Sequence, residues 1–211
     1  MKTRIRIAEL NDASSFVAIK DQLPIKKTDG TTSTGGFLLG TDIATYEYYI
    51  ENAFCLVAEV NDKIVGFGII FNEVMLRSSD VWLRRKQANW FINLADWEDK
   101  KLCYFEQLAF LPGYRRLVIL LSYNLVKWVF DLGYDALFTT TVKEPILNLA
   151  AIPFIYAVDG ILAGNIREIY PKIGLINSDI YLIESECFYS KTKIHSLYPF
   201  FQNNLTLLIA Q

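Results

Sequence analysis

The chain has 211 residues, 52% of them hydrophobic, 14% aromatic and 21% charged, with a formal net charge of −2. That length allows one large domain or two small ones, and the composition implies a well-filled core and argues against disorder. The near-neutral balance gives no electrostatic case for nucleic acid or an anionic membrane as partner.

Arg4-Ile-Arg-Ile-Ala8 alternates polar and apolar residues, which predicts a strand. Asn11 or Asp12 is placed to cap a helix whose apolar face is Phe16, Ile19 and Leu23, with Pro24 stopping it. The polar tract 26–36 (KKTDGTTSTGG) reads as a loop or a mobile lid. Residues 42–52 predict a second helix. Two apolar strands, 54–60 and 64–71, flank Asn61-Asp-Lys63 in a hairpin pattern. An unusual stretch, 72–101, carries Trp82, Trp90 and Trp97. Ser78 or Ser79 would cap a helix through 82–90, with Arg84-Arg85-Lys86 as its solvated face.

The most informative stretch follows. Residues 102–111 form an apolar, aromatic-rich strand, broken by Pro112-Gly113. Residues 114–132 are long enough for five helical turns, with Gly133 placed to end them, and 135–142 form a second strand. This is a βαβ unit, which predicts two parallel strands with a right-handed crossover. Arg115 and Arg116 fall in the first helical turn, where positive charge opposes the helix dipole. Either both point into water, or they converge with free N–H groups on an anion such as a phosphate.

Beyond Glu144-Pro145 a helical stretch runs to Val158, interrupted by Pro153; 162–169 and 179–183 read as strands, and 197–209 as an apolar tail with helical character. No repeat or linker divides the chain, which predicts one domain spanning 1–211. Cys55, Cys103 and Cys187 are odd in number, far apart and set in apolar runs, so they read as reduced thiols in a cytoplasmic protein. The N-terminus lacks an uninterrupted apolar segment of the signal-peptide kind. The longest candidate span, 146–158, is too short for a bilayer and contains Asn148 and Pro153. The aromatic excess would line a ligand cleft or a subunit interface, so a homodimer fits the composition.

The order of elements, with particular residues, resembles the GNAT superfamily of acyl-CoA-dependent N-acyltransferases. Leu108-Ala-Phe-Leu-Pro-Gly-Tyr-Arg115 is similar to that family's strand-to-helix segment, L-A-V-x-P-x-Y-R. Pro145-Ile-Leu-Asn148, followed by Ala151, Phe154 and Gly160, resembles its later P-x-x-N-x-x-S-x-x-F…G segment. The resemblance implies an α/β (α+β) fold with a mixed, mostly antiparallel sheet and helices on both faces. It also implies that the helix start after residue 114 holds the coenzyme A pyrophosphate, over the N–H groups of 116–121. The flanking strands splay apart to admit the pantetheine arm. Two departures stand out. Val118 and Leu120 occupy the glycine positions of the family's phosphate loop, within Arg115-Arg116-Leu117-Val118-Ile119-Leu120, ahead of Leu121. Gly160 lies about one residue late relative to Asn148, so either Ile155 or Tyr156 matches the family's acid tyrosine.

Acyl transfer to an amine requires a base, donors for the thioester oxygen and an acid for the departing sulfur. Glu106, a carboxylate within an apolar strand, matches the family's base; the alternative is a paired or solvent-facing glutamate. Tyr156 is the acid candidate, against a core tyrosine. The resemblance gives Leu108 and the backbone N–H of Phe110 to the acyl-bearing arm, and Asn148 either to that arm or to capping the next helix. His195 is the only histidine, which excludes a histidine-based triad or polyhistidine metal site, and no metal is expected. The expected activity is acyl-CoA-dependent N-acylation, with acetyl-CoA or another acyl-CoA as cosubstrate. The acceptor would be a small-molecule or peptide primary amine, entering between 26–41 and the tryptophan-bearing stretch. Two readings stay beside it: a GNAT-like binding or interaction module without catalysis, and an enzyme taking a longer acyl donor in an apolar tunnel.

Overall fold

The computed structural model describes residues 2–23, 25, 30–33, 35–36, 38, 40–170 and 173–204. Strand β1 (Thr3–Ile7) leads to helix α1 (Ala13–Asp21), a short strand β2 (Thr31–Thr32) and helix α2 (Ile43–Asn52). The hairpin β3 (Phe54–Val60) and β4 (Lys63–Phe71) follows. Residues 72–101 hold five short pieces: α3 (Glu73–Ser78), α4 (Asp80–Leu83), a 3-10 turn (Arg84–Gln87), β5 (Asn89–Trp90) and α5 (Ala95–Glu98). Then come β6 (Leu102–Phe110), α6 (Arg115–Asp131), β7 (Ala136–Glu144), β8 (Leu147–Asn148) and α7 (Ile152–Ala157). The chain closes with β9 (Ile161–Tyr170), β10 (Gly174–Glu184), α8 (Ser185–Lys193) and α9 (Tyr198–Asn203).

Eight strands form one sheet in the order β1-β3-β4-β6-β7-β10-β9-β5. Within it β6 and β7 pair in parallel and every other pair is antiparallel. The α+β class and mostly antiparallel sheet expected from the sequence are therefore present. The β3–β4 turn is a two-residue link between Val60 and Lys63, with Asn61 at φ 49° and Asp62 at φ 62°. Asn and Asp tolerate that left-handed backbone, and this turn matches the twist of a hairpin.

Because strand side chains alternate faces, the sheet carries two cores. One joins α1, α2 and the 72–101 insert to Phe67, Ile69, Tyr104 and Phe138. The other packs α6, α8 and α9 onto Leu56, Ile70, Phe105 and Leu137. Helix α6 lies directly on β4 at Gly68, where an added Cβ would come within 2.7 Å of Leu121 Cδ2 and 2.9 Å of Leu125 Cδ2. Gly68→Ala is expected to cost roughly 1–3 kcal/mol, as overpacking of a filled core does; urea unfolding of the variant measures it.

Several local expectations need correction. Asp12 stands at the start of α1 but does not cap it. Its carboxylate instead accepts from the Glu9 N–H at 2.8 Å and from Arg6 at 2.6 and 3.0 Å, and Arg6 also bonds Glu59 at 2.8 Å. Burial works to raise the Asp12 pKa, but the Arg6 and Glu9 hydrogen bonds outweigh it and hold the group below the ordinary range. The stabilisation this lends is fully present above the unfolded-chain value, near pH 4, and is lost as pH falls through the depressed folded-state value. Asp12→Asn is expected to destabilise the protein at pH 7 and to flatten its loss of stability below about pH 4, as read by urea titrations at stepped pH.

The helix expected through 82–90 is only α4, capped by Ser79, followed by a tight 3-10 turn at Arg84–Gln87. The chain turns there because Asn89 and Trp90 pair with Asn165 and Gly164 at the sheet edge. Pro153 sits in the first turn of α7 and starts that helix instead of interrupting it, as its missing N–H permits. Pro24, much of 26–36 and the tail beyond 204 lie outside the described residues.

Candidate active site

Strands β6 and β7 pair only at Leu102–Ala136, Cys103–Leu137, Tyr104–Phe138 and Phe105–Thr139. Both strands run on past that rung without pairing to each other, so they open a fork at their C-terminal ends. Two hydrogen bonds close its base. The Thr139 hydroxyl donates to the Phe105 carbonyl at 3.1 Å, and the hydroxyls of Tyr104 and Thr140 are 2.7 Å apart.

Glu106 is the first residue of β6 beyond the last rung. It is also the extra residue of a β-bulge: Ile69 pairs with Gln107 and Ile70 with Phe105. A bulge places two successive side chains toward one face. Gln107 accepts from Tyr46 Oη at 3.0 Å and donates to Thr41 Oγ1 at 3.3 Å, on the α1/α2 face. Glu106 acts on that face too. Burial is the main cause of raised pKa values at Tyr46, Tyr49 (to about 12) and Tyr104, and the Glu106 charge adds to all three. Glu106 itself is pushed up to about 7, first by burial and further by Glu168, against a hydrogen bond from Gln107. A half-buried carboxyl titrating near neutrality suits a general base.

Leu111 N–H donates to the Val65 carbonyl at 2.9 Å. Antiparallel alternation then turns the amides of Leu108 and Phe110 away from β4, toward the fork. The Phe110 side chain does not face it. Its ring lies over Gly66, within 2.4 Å of where a Cβ would stand.

Helix α6 begins at the mouth of the fork. Tyr114 occupies its N-cap without a side-chain cap bond, and its carbonyl accepts from the Leu117 N–H at 2.8 Å and the Val118 N–H at 3.0 Å, which leaves the N–H groups of Arg115 and Arg116 without helical acceptors. Arg115 and Arg116 are exposed and, among the described residues, form no ion pair. Leu117 and Val118 are half-buried. Leu120 is 6% exposed and Leu121 fully buried, so their side chains belong to the core and are not open to a ligand at this helix start. Sequence alone placed both at the cofactor without separating the two roles.

After β7 the chain passes a cis Glu144–Pro145 bond into β8, which pairs in parallel with β2. Part of the polar tract is thus docked beside the fork and is not a free loop. Asn148 Oδ1 accepts from the Ala150 N–H at 3.0 Å; α7 starts after Ala151 without a side-chain cap. Asn148 therefore holds a turn and does not cap the helix. In α7, Ile155 is buried and Tyr156 is 53% exposed, its ring edge-on to Tyr181 at 5.9 Å.

The 72–101 insert roofs the β6-β7-β10-β9 part of the α1/α2 face. Trp82 lies between the guanidinium groups of Arg77 and Arg85, 4.5 and 4.6 Å from its ring centre. Arg84 bonds Glu168 of β9 at 2.8 Å, Arg85 bonds Glu98 at 3.2 Å, and Trp90 Nε1 donates to the Arg85 carbonyl at 2.8 Å. The run 84–86 is therefore not merely a solvated face, since two of its three cations anchor the roof. Sequence reasoning missed Tyr46, Tyr49, Tyr104, Gln107, Thr139 and Thr140. The i, i+3 spacing of Tyr46 and Tyr49 was a usable signal for a shared helix face; the others depend on strand register. Among the described residues, no group of three or more metal-binding side chains converges and no helix is long and apolar enough to cross a membrane.

No protein-family model matches the chain, and comparison with curated proteins finds no match. Solved structures do match. An N-acetyltransferase from Staphylococcus aureus superposes with TM-score 0.60 at 15% identity, over 88% of this chain and 99% of that one. An acetyltransferase of the GNAT family from Streptococcus pneumoniae gives 0.58 at 17%, over 87% and 99%. YncA of Salmonella typhimurium, solved with its cofactor acetyl-CoA, gives 0.59 at 12%, over 88% and 95%. The chain has the fold of GNAT-family acetyltransferases, the fold that the resemblance implied.

Proposed function

We propose that the protein is an acyl-CoA-dependent N-acyltransferase that transfers a short acyl group, acetyl first among them, to a primary amine. The observation that carries this is Glu106, a bulged carboxyl at the first unpaired rung of the fork with its pKa raised to about 7. The pyrophosphate of coenzyme A would lie at the start of α6, over the free N–H groups of its first turn, with the Arg115 and Arg116 side chains beside it. The pantetheine arm would follow the fork against the amides of Leu108 and Phe110, with Asn148 at its rim. The cosubstrate supplies the activated thioester. Glu106 takes the proton of the attacking amine as its nitrogen bonds to the acyl carbon. The carbon–sulfur bond breaks, and Tyr156 returns a proton to the sulfur. Nothing in this scheme calls on a metal ion.

Calorimetry with coenzyme A and acetyl-CoA tests the reading. Binding is expected, weakened by roughly 1–3 kcal/mol in the Arg115→Ala, Arg116→Ala double variant, the range for charge-assisted hydrogen bonds. No heat of binding to the native protein at millimolar ligand removes the proposal.

A further inference from the structure

We infer that Tyr104 and Thr140 set the length of acyl group the fork accepts, by closing its base against an apolar cavity under the tryptophan-bearing insert. The inference rests on the acyl-transfer reading above and adds a determinant of donor choice to it.

Three observations converge. Tyr104 leaves β6 on the last paired rungs and Thr140 leaves β7 one residue beyond them. Their hydroxyls, 2.7 Å apart, span the point where the strands part. Glu106 stands two residues along β6 on the same face and its charge reaches the Tyr104 hydroxyl. An acyl carbon presented to an amine near Glu106 thus has this pair as its floor.

Behind the floor lies a cavity of about 30 Å³, lined by Tyr104 and Thr140 on the fork side and by Trp82, Trp90, Phe138 and Ile180 among others. The space is large enough to hold a water, but the surface it exposes is apolar and the Tyr104 and Thr140 hydroxyls are bonded to each other, so it is expected to be dry. A methylene fits such a space and loses nothing by entering it. The far wall is rigid: Trp82 is clamped by Arg77 and Arg85, and Trp90 is edge-on to Phe138 at 5.9 Å. The near wall is the hydrogen-bonded pair Tyr104 and Thr140, one side chain from each fork strand. A short acyl group ends on the Tyr104 ring. A longer one would have to break the Tyr104–Thr140 bond and displace that ring.

The test is equilibrium binding of coenzyme A, acetyl-CoA, butyryl-CoA and octanoyl-CoA to the native protein and to Tyr104→Ala, each acyl form read as a ratio to coenzyme A in the same protein. A pocket typically discriminates one methylene by about 10–200-fold. The native protein is therefore expected to bind butyryl-CoA at least about 10-fold more weakly than acetyl-CoA, and octanoyl-CoA more weakly still. Tyr104→Ala joins cavity to fork, and its butyryl and octanoyl ratios are expected to equal or exceed its acetyl ratio. Thr140→Ala, a smaller deletion, makes a smaller shift of the same sign and replaces Tyr104→Ala if that variant does not fold. Tyr104→Phe keeps the ring and should stay closer to the native order. Unchanged ratios in both alanine variants, with coenzyme A still bound, overturn this inference and leave acyl transfer standing. A native protein that binds none of the four overturns both.

Discussion

Glu106→Gln is expected to slow acyl transfer by about 10²–10⁴-fold, the usual contribution of a general base, without weakening the fold. The carboxyl sits where burial and Glu168 both disfavour its charge, and its pKa is about 7. Only the ionised form accepts a proton, so native activity should rise with pH through about 7 and level off above it. Stability runs the other way. A pKa raised in the folded state favours folding below the unfolded-chain value, near 4.3, and that advantage disappears as pH rises through about 7. Glutamine is neutral throughout, so the variant should melt no lower than the parent at pH 8 while losing the rising limb of activity. Thiol release from acetyl-CoA with a panel of primary amines, between pH 5.5 and 9, together with melting curves, reads both quantities. Full activity with an unaltered pH profile would show that Glu106 is structural and that the proton goes elsewhere.

Val118→Gly combined with Leu120→Gly, which restores glycine where the resembled phosphate loop has it, is expected to destabilise the protein by roughly 4–7 kcal/mol. Each glycine costs about 1 kcal/mol in helix propensity. Removing Leu120, 6% exposed within the α6 core, adds about 2–5 kcal/mol. The total approaches the whole stability of many domains. Coenzyme A affinity should not rise in return, because the Leu120 side chain points into the core and does not stand between the N–H groups and a phosphate. A double variant that melts like the native protein and binds coenzyme A more tightly would falsify this, and would mean that the large residues obstruct an otherwise ordinary phosphate loop.

The parts of the fold that follow local rules were legible in the sequence. The Asn61-Asp62 turn names its own hairpin, and Pro112-Gly113 and Gly133 bound α6 between two apolar strands. Helix α8 was not legible, because only Phe188 and Thr192 of its nine residues are buried and the apolar repeat is too thin to detect. The insert misled for a different reason. Trp82 and Trp90 have helical polar neighbours, but cation–π contacts and pairing to β9 decide their course. Glu106 announced itself as a charge among apolar residues. The bulge that aims it did not, since a bulge exists only relative to the partner strand. Tyr104 and Thr140 lie 36 residues apart and meet solely through parallel register.

The pairing of β5 with β9 also bears on how the molecule meets its own copies. An outer strand with unpaired amides is a template on which another chain can add, and β9 itself carries well-exposed apolar residues, Ile169 at 81% among them. Asn89, Trp90 and the Phe91 N–H, which donates to the Ala163 carbonyl at 2.8 Å, occupy the middle of that edge. The fit is too close to share: at Gly164 an added Cβ would stand 2.6 Å from the Asn89 carbonyl. Continuation of the sheet from molecule to molecule along the whole of β9 must first peel this segment away, and with it Trp90 from the wall it forms. Fibre-like growth along the full length of that edge and an intact cavity exclude each other.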